Sequence, residues 1–139
     1  MKSGVVLCDT GPLVAFLNRR DRYHLWAKNQ LAQLAPPLFT CEAVLSEACF
    51  LLRHLVGGPD AVPELLARGL IKVPFHLDDE APRVGVLLRS YAEIPMSLAD
   101  ACLVRMAERM PGAVVWTLDS DFRIYRTHRN RELRVNMPE

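Results

Sequence analysis

The sequence predicts an α/β protein, a three-layer α/β/α sandwich around a mostly parallel central sheet. Three observations predict it. Short apolar, β-rich runs alternate with longer segments of helical period along the whole chain. Ten Pro and seven Gly are spread out as punctuation between those segments, with no low-complexity linker. The 139 residues fit a single domain spanning 1–139, and half of them are apolar and 24% charged, a composition that excludes intrinsic disorder.

Each element has its own local reason. Residues 4–8 (Gly-Val-Val-Leu-Cys) are an apolar run of the kind that forms a buried strand. It ends at Asp9-Thr10-Gly11-Pro12. Thr10 is the expected cap of a helix carrying Leu13, Val14, Phe16 and Leu17, with Pro12 at its start, where a missing N–H costs nothing. A second helix covers 23–34 and Pro36-Pro37 stops it. Leu38-Phe39-Thr40 is a short strand. The next helix runs over 42–54, with Val44, Leu45, Ala48, Leu51, Leu52 and Leu55 along one face, and Gly57-Gly58-Pro59 breaks it. A short helix over 60–67 precedes a strand over 70–75, interrupted at Pro74. The helix over 78–91 has acidic residues in its first turn, where the helix dipole favours them, and Pro82 is tolerated only near that start. Ser97 caps a helix that reaches Met110 and is closed by Pro111-Gly112, and residues 113–118 form a strand. Beyond Phe122 the chain is basic and irregular, with Leu133 and Val135 in a last short strand.

Composition excludes several classes of function. No apolar run approaches the ~18 residues that span a bilayer, and Met1-Lys2-Ser3-Gly4 does not lead into a signal peptide, so a cytoplasmic chain is expected. Cys8, Cys41, Cys49 and Cys102 are too widely spaced for a CxxC motif and are expected as reduced, small hydrophobes. His24, His54, His76 and His128 make no zinc-binding pair, and no GxGxxG, Walker A or GxSxG sequence occurs. Net charge is only +1, yet 14 of the 17 basic residues are Arg, whose planar fork suits phosphate. Arg19, Arg20 and Arg22 after the first helix, and Arg123 and Arg126 in the tail, are candidate phosphate contacts.

The carboxylates are more informative. Parallel sheets bind ligands beyond the carboxyl ends of their strands. Asp9 directly follows the first strand, and Asp119 and Asp121 follow the strand over 113–118. Glu47 and Asp100 border the apolar stripes of their helices and are expected to be partly withdrawn from solvent. Each has an ordinary explanation: a turn or cap for Asp9, Asp119 and Asp121, a dipole partner for Asp100, a salt bridge to Arg53 or Arg89 for Glu47. Jointly, convergence on a hard cation such as Mg²⁺ or Mn²⁺ is the more economical account.

The runs Val6-Leu7-Cys8-Asp9-Thr10-Gly11, Ser46-Glu47, Pro95-Met96-Ser97-Leu98-Ala99-Asp100-Ala101 and Thr117-Leu118-Asp119-Ser120-Asp121-Phe122 resemble a PIN domain, and in particular the VapC-type toxin ribonucleases of toxin–antitoxin pairs. The resemblance covers essentially the whole chain in order. It implies a Mg²⁺- or Mn²⁺-dependent endoribonuclease whose acidic quartet falls on Asp9, Glu47, Asp100 and Asp119, with Asp121 an auxiliary metal ligand. Thr10 and Thr117 match hydroxyl positions beside that site. It further implies an RNA substrate, a homodimer and a small protein antitoxin. Gly11 departs from the pattern, since many relatives carry a side chain there. Two rival readings stand beside this one: a non-catalytic PIN-like module that binds RNA or protein, and a phosphotransfer domain. The second needs a strand-end Lys near the site, and Lys72 before Val73-Pro74 is poorly placed for that role.

Overall fold

The computed structural model describes residues 4–139; the Met1–Ser3 lead-in, read above as the start of a chain without a signal peptide, lies outside the described residues. Five short strands, β1 (Val6–Cys8), β2 (Leu38–Phe39), β3 (Ile71–Lys72), β4 (Val114–Trp116) and β5 (Arg134–Asn136), form one sheet in the order β3-β2-β1-β4-β5. Every pairing is parallel, so the sheet is more uniform than expected. Helices α1 (Thr10–Leu17), α2 (His24–Gln33), α3 (Glu42–Leu51), α4 (Ala61–Ala67), α5 (Leu77–Ser90) and α6 (Leu98–Arg109) fill the crossovers. Helix α1 packs on α2 and α3, and α5 packs on α6, which lies against β1 and β4.

Leu7, Cys8, Val115 and Trp116 at the sheet's centre are almost fully buried, with Leu103 and Val104 of α6 and Val44 and Ala48 of α3 in the same core. The register sets which residues meet at the strand ends. Cys8 pairs with Trp116, so the next residues, Asp9 and Thr117, emerge side by side, and the Asp9 N–H donates to the Trp116 carbonyl (3.0 Å).

Local details differ from the sequence-based expectation. Asp9, not Thr10, caps α1: its Oδ1 accepts the Thr10 N–H at 2.8 Å, and Thr10 is the first helical residue. Helix α3 ends at Leu51 rather than 54; Leu52 is buried, whereas Leu51, assigned to the same apolar stripe, is exposed. The strand over 70–75 contracts to Ile71–Lys72, because Pro74 has no N–H to give a ladder. The tail is more ordered than its composition implied. A 3₁₀ turn covers Ser120–Arg123, Arg126 and Glu132 form an antiparallel bridge closed by a turn with Asn130 at φ 57°, and β5 comes next.

Candidate active site

Asp9 projects from the carboxyl end of β1 with both oxygens engaged. Oδ1 caps α1, and Oδ2 accepts the Thr117 hydroxyl at 2.6 Å. Thr117 is fully buried, and its hydroxyl in turn accepts the Asp119 N–H (2.9 Å), so one side chain joins the ends of β1 and β4. Asp119 Oδ1 accepts the Asp121 N–H (2.9 Å) and caps the 3₁₀ turn. On α3, Glu47 Oε1 accepts the Thr10 hydroxyl at 2.8 Å. Glu47 is exposed, where partial burial was expected, because it faces an open cleft rather than the core. It forms no bridge to Arg53 or Arg89; Arg53 donates to the Phe50 carbonyl and lies over the Phe50 ring.

Asp100 is the third residue of α6. The Ser97 hydroxyl accepts the Asp100 N–H (3.0 Å), and Asp100 Oδ2 reaches back to the Ser97 N–H at 3.4 Å, a capping box. The same Oδ2 accepts the Tyr125 hydroxyl at 2.8 Å. Tyr125 is fully buried and stays protonated, since burial and then its hydrogen bond to Asp100 push its pKa well up.

Asp9, Glu47, Asp100, Asp119 and Asp121 all line one open cleft of about 600 Å³, together with Thr10. Leu51, Pro95 and Leu118 form its apolar lip, which explains why Leu51 leaves the core stripe. Among the described residues no basic side chain lines the cleft, and none of the five carboxylates has a Lys, Arg or His within salt-bridge distance. The electrostatic result is visible in two pKa values. Burial, with added repulsion from Asp100 and Asp119, raises Asp9 to about 6, although the Thr117 and Thr10 hydrogen bonds pull the other way. Burial likewise raises Asp100; Asp119 adds to the rise, and Tyr125 and Ser97 oppose it.

An all-oxygen, anionic donor set without a counter-cation has the chemistry that holds a hard divalent ion. The carboxylates line a wide cleft and do not converge tightly: among the described residues no three His, Cys, Asp or Glu form a closed metal-binding group. That openness suits an ion that keeps several waters.

The arginines singled out from the sequence sit elsewhere. Arg19, Arg20 and Arg22 are exposed in the turn after α1, with the Arg22 guanidinium over the Tyr23 ring, and Arg123 is exposed beside the cleft loop. Arg126 is turned back on its own chain, donating to the carbonyls of Arg123, Ile124 and Tyr125. Gly11 is packed: a Cβ there would stand 3.2 Å from the Leu118 Cβ. Tyr125 escaped the sequence reading, because it lies in the stretch taken as irregular. Its only sequence signal is its place three residues after Phe122, against whose ring it packs edge-on (5.2 Å).

The parallel sheet carries the acidic cleft at its carboxyl edge, where open α/β sheets bind their ligands. A family model for the PIN domain matches residues 6–127, and the chain belongs to that family. Among solved structures, the fold is similar to VapC20 of Mycobacterium tuberculosis, described as a Sarcin-Ricin loop cleaving toxin. The TM-score is 0.74 at 24% identity, covering 84% of this chain and 91% of that one. It is also similar to VapBC2 from Rickettsia felis, bound to a DNA fragment from their promoter, with a TM-score of 0.61 at 13% identity, covering 97% and 99%. No curated protein sequence matches the chain.

Proposed function

We propose that this chain is a Mg²⁺- or Mn²⁺-dependent endoribonuclease, a VapC-type toxin that acts in the cytoplasm as a homodimer and is restrained by a small protein antitoxin. The observation that carries the reading is the uncompensated acidic cleft at the carboxyl edge of a PIN-domain sheet. The fold likeness to a protein described as a cleaving toxin supports the toxin assignment. No helix among the described residues is long and apolar enough to cross a membrane.

Asp9, Glu47, Asp100 and Asp119 would hold the ion, with Asp121 at the margin of the same cleft. A bound divalent ion supplies positive charge to the scissile phosphate and lowers the pKa of the attacking water. The chain's own groups prepare the place. Thr117 fixes Asp9, Thr10 fixes Glu47, and the Thr117 hydroxyl sets the start of the loop that carries Asp119. Exposed Arg19, Arg20, Arg22 and Arg123 are free to contact phosphates along an RNA strand, while Arg126 secures the loop. Hydrolysis by water leaves 5′-phosphate and 3′-hydroxyl ends.

The test is incubation of total cellular RNA with the purified protein in Mg²⁺, in Mn²⁺ and in EDTA, alongside Asp100→Asn, with mapping of the new ends. Cuts that need the metal and vanish in Asp100→Asn are expected. RNA binding without cleavage in either metal would leave a non-catalytic module, and 2′,3′-cyclic phosphate ends would rule out direct hydrolysis.

A further inference from the structure

The carboxylates of the cleft arrive on different elements, Glu47 on α3 among them. Asp9, Asp119 and Asp121 belong to the strand ends, whereas Asp100 belongs to α6. Something must fix the Asp100 carboxylate relative to the others. Its capping box alone does this weakly: the bond from the Ser97 N–H to Oδ2 is 3.4 Å long, at the outer limit for a hydrogen bond. The bond from the Tyr125 hydroxyl to the same oxygen is 2.8 Å long and leads to a carboxylate, the stronger class.

Tyr125 is well built for holding a position. It is 0% exposed, and its ring sits edge-on between Tyr91 (5.1 Å) and Phe122 (5.2 Å). Its backbone N–H donates to the Asp121 carbonyl (3.1 Å), so it is anchored to the loop that carries Asp119 and Asp121. Among the described residues, the hydroxyl has Asp100 as its one protein partner, and Asp100 Oδ1 has no protein donor.

Resting on the nuclease reading above, we propose that Tyr125 is a positioning residue: it ties Asp100 to the 119–125 loop and occupies Oδ2, so that Oδ1 is the oxygen offered to the cation. The tie spans 25 residues of sequence and joins the two elements that must move together when an ion is held. Partners of this kind, one step out from the ligands, typically change metal affinity or activity by 10–100-fold when removed.

The experiment compares Mn²⁺ binding by titration calorimetry, and RNA cleavage, for the wild type, Tyr125→Phe and Tyr91→Phe. Tyr125→Phe keeps the ring and its packing and removes only the bond to Asp100. Tyr91→Phe removes a neighbouring hydroxyl that accepts the Arg126 N–H and does not touch a carboxylate. Expected are an Mn²⁺ Kd raised about tenfold in Tyr125→Phe, a matching fall in kcat with KM for RNA little changed, and wild-type Mn²⁺ affinity in Tyr91→Phe. Equal Mn²⁺ affinity in Tyr125→Phe and wild type would overturn the positioning role while leaving the nuclease reading intact. Equal weakening in both variants would also overturn it, since that is general loosening of the aromatic cluster. A wild type that neither binds Mn²⁺ nor cuts RNA would overturn both.

Discussion

The acidic cleft and the flank of the molecule formed by α5 and α6 face the same problem and resolve it in opposite ways. On the flank, the Glu108 side chain is wholly buried, yet both of its oxygens are met by the Arg83 fork (3.0 and 2.6 Å), and Arg105 adds a third bond (3.2 Å). Glu80 is held in the same network by Arg105 and Arg109. Burial alone would raise the pKa of Glu108, but Arg83 and Arg105 outweigh it and hold the carboxyl below its usual range. In the cleft, Asp9 is similarly buried, and its neighbours are hydroxyls, N–H groups and more carboxylates. Fourteen Arg are available in this chain, and none is placed there. An ionised group left without a counter-charge, inside a protein that neutralises another so thoroughly, is the physical basis of the proposed metal-binding role of the cleft.

The largest expected contrast between the regions is in activity. Asp9→Asn retains an oxygen to cap α1 but removes a charge from the cleft. Under the proposed function, metal-dependent RNA cleavage falls about 1000-fold. Glu108→Gln keeps the cleft intact and leaves cleavage within about twofold at temperatures where it is folded. It leaves Arg83 and Arg105 without their shared carboxylate, and urea unfolding should show a loss of about 3 kcal/mol. Comparable loss of cleavage in the two variants, at matched folded fraction, would erase the distinction.

The pH dependence of stability sharpens the same contrast. Asp9 has a folded pKa of about 6, above the unfolded value near 4. Its contribution is therefore fully present below about pH 4 and is lost as pH rises through 6. In EDTA, the wild type gains about 1 kcal/mol from this group between pH 7 and pH 5, and about 3 kcal/mol in all below pH 4. Glu108, with a lowered pKa, contributes in the opposite sense: stability present above its unfolded value and lost as pH falls through its folded one. Denaturant titrations from pH 7 to pH 3 should show Asp9→Asn removing the gain on the high-pH side, and Glu108→Gln removing a loss at lower pH. An unchanged pH 7 to pH 5 slope in Asp9→Asn would place that gain in another group.

The fold was legible in the chain because its signals are local. An apolar run that ends in Asp, as at Cys8-Asp9, and Ser97 three residues before Asp100 announce a strand end and a capped helix wherever they occur. That Asp9, Asp119 and Asp121 share one edge followed from parallel topology, whereas Asp100 was drawn in by its place beside the apolar stripe of its helix and by the family resemblance. The features that were not legible depend on contacts across the fold. Periodicity put Leu51 on the core stripe of α3, but the helix ends there, and the residue serves the lip of the cleft instead. Periodicity likewise bordered Glu47 on apolar neighbours without showing that those neighbours open onto a cleft. The bonds of Tyr125 to Asp100 and of Arg126 to three carbonyls arise because the tail folds back on itself, and a tail rich in Arg hides that behind its charge.

The smallest contrast concerns two helical glycines, one in each region. Replacing Gly by Ala within a helix gains about 0.5–1 kcal/mol when the added methyl meets nothing. Gly85 of α5, on the flank, meets that condition: a Cβ there would touch only the far end of Arg89, at 3.4 Å. Gly85→Ala should stabilise by the full amount. Gly11 of α1, at the cleft, would crowd Leu118 Cβ at 3.2 Å, so Leu118 must give by a few tenths of an ångström. Leu118 is only partly buried and precedes Asp119, whose N–H is tied to Thr117, so it has solvent to yield into and a tether that resists. The two terms offset, and Gly11→Ala should lie within about 0.5 kcal/mol of the wild type by urea midpoint. A loss above about 2 kcal/mol would show the loop before Asp119 to be as rigid as the core. A gain equal to that of Gly85→Ala would show Leu118 to be free, and the Gly at 11 would then have no packing reason.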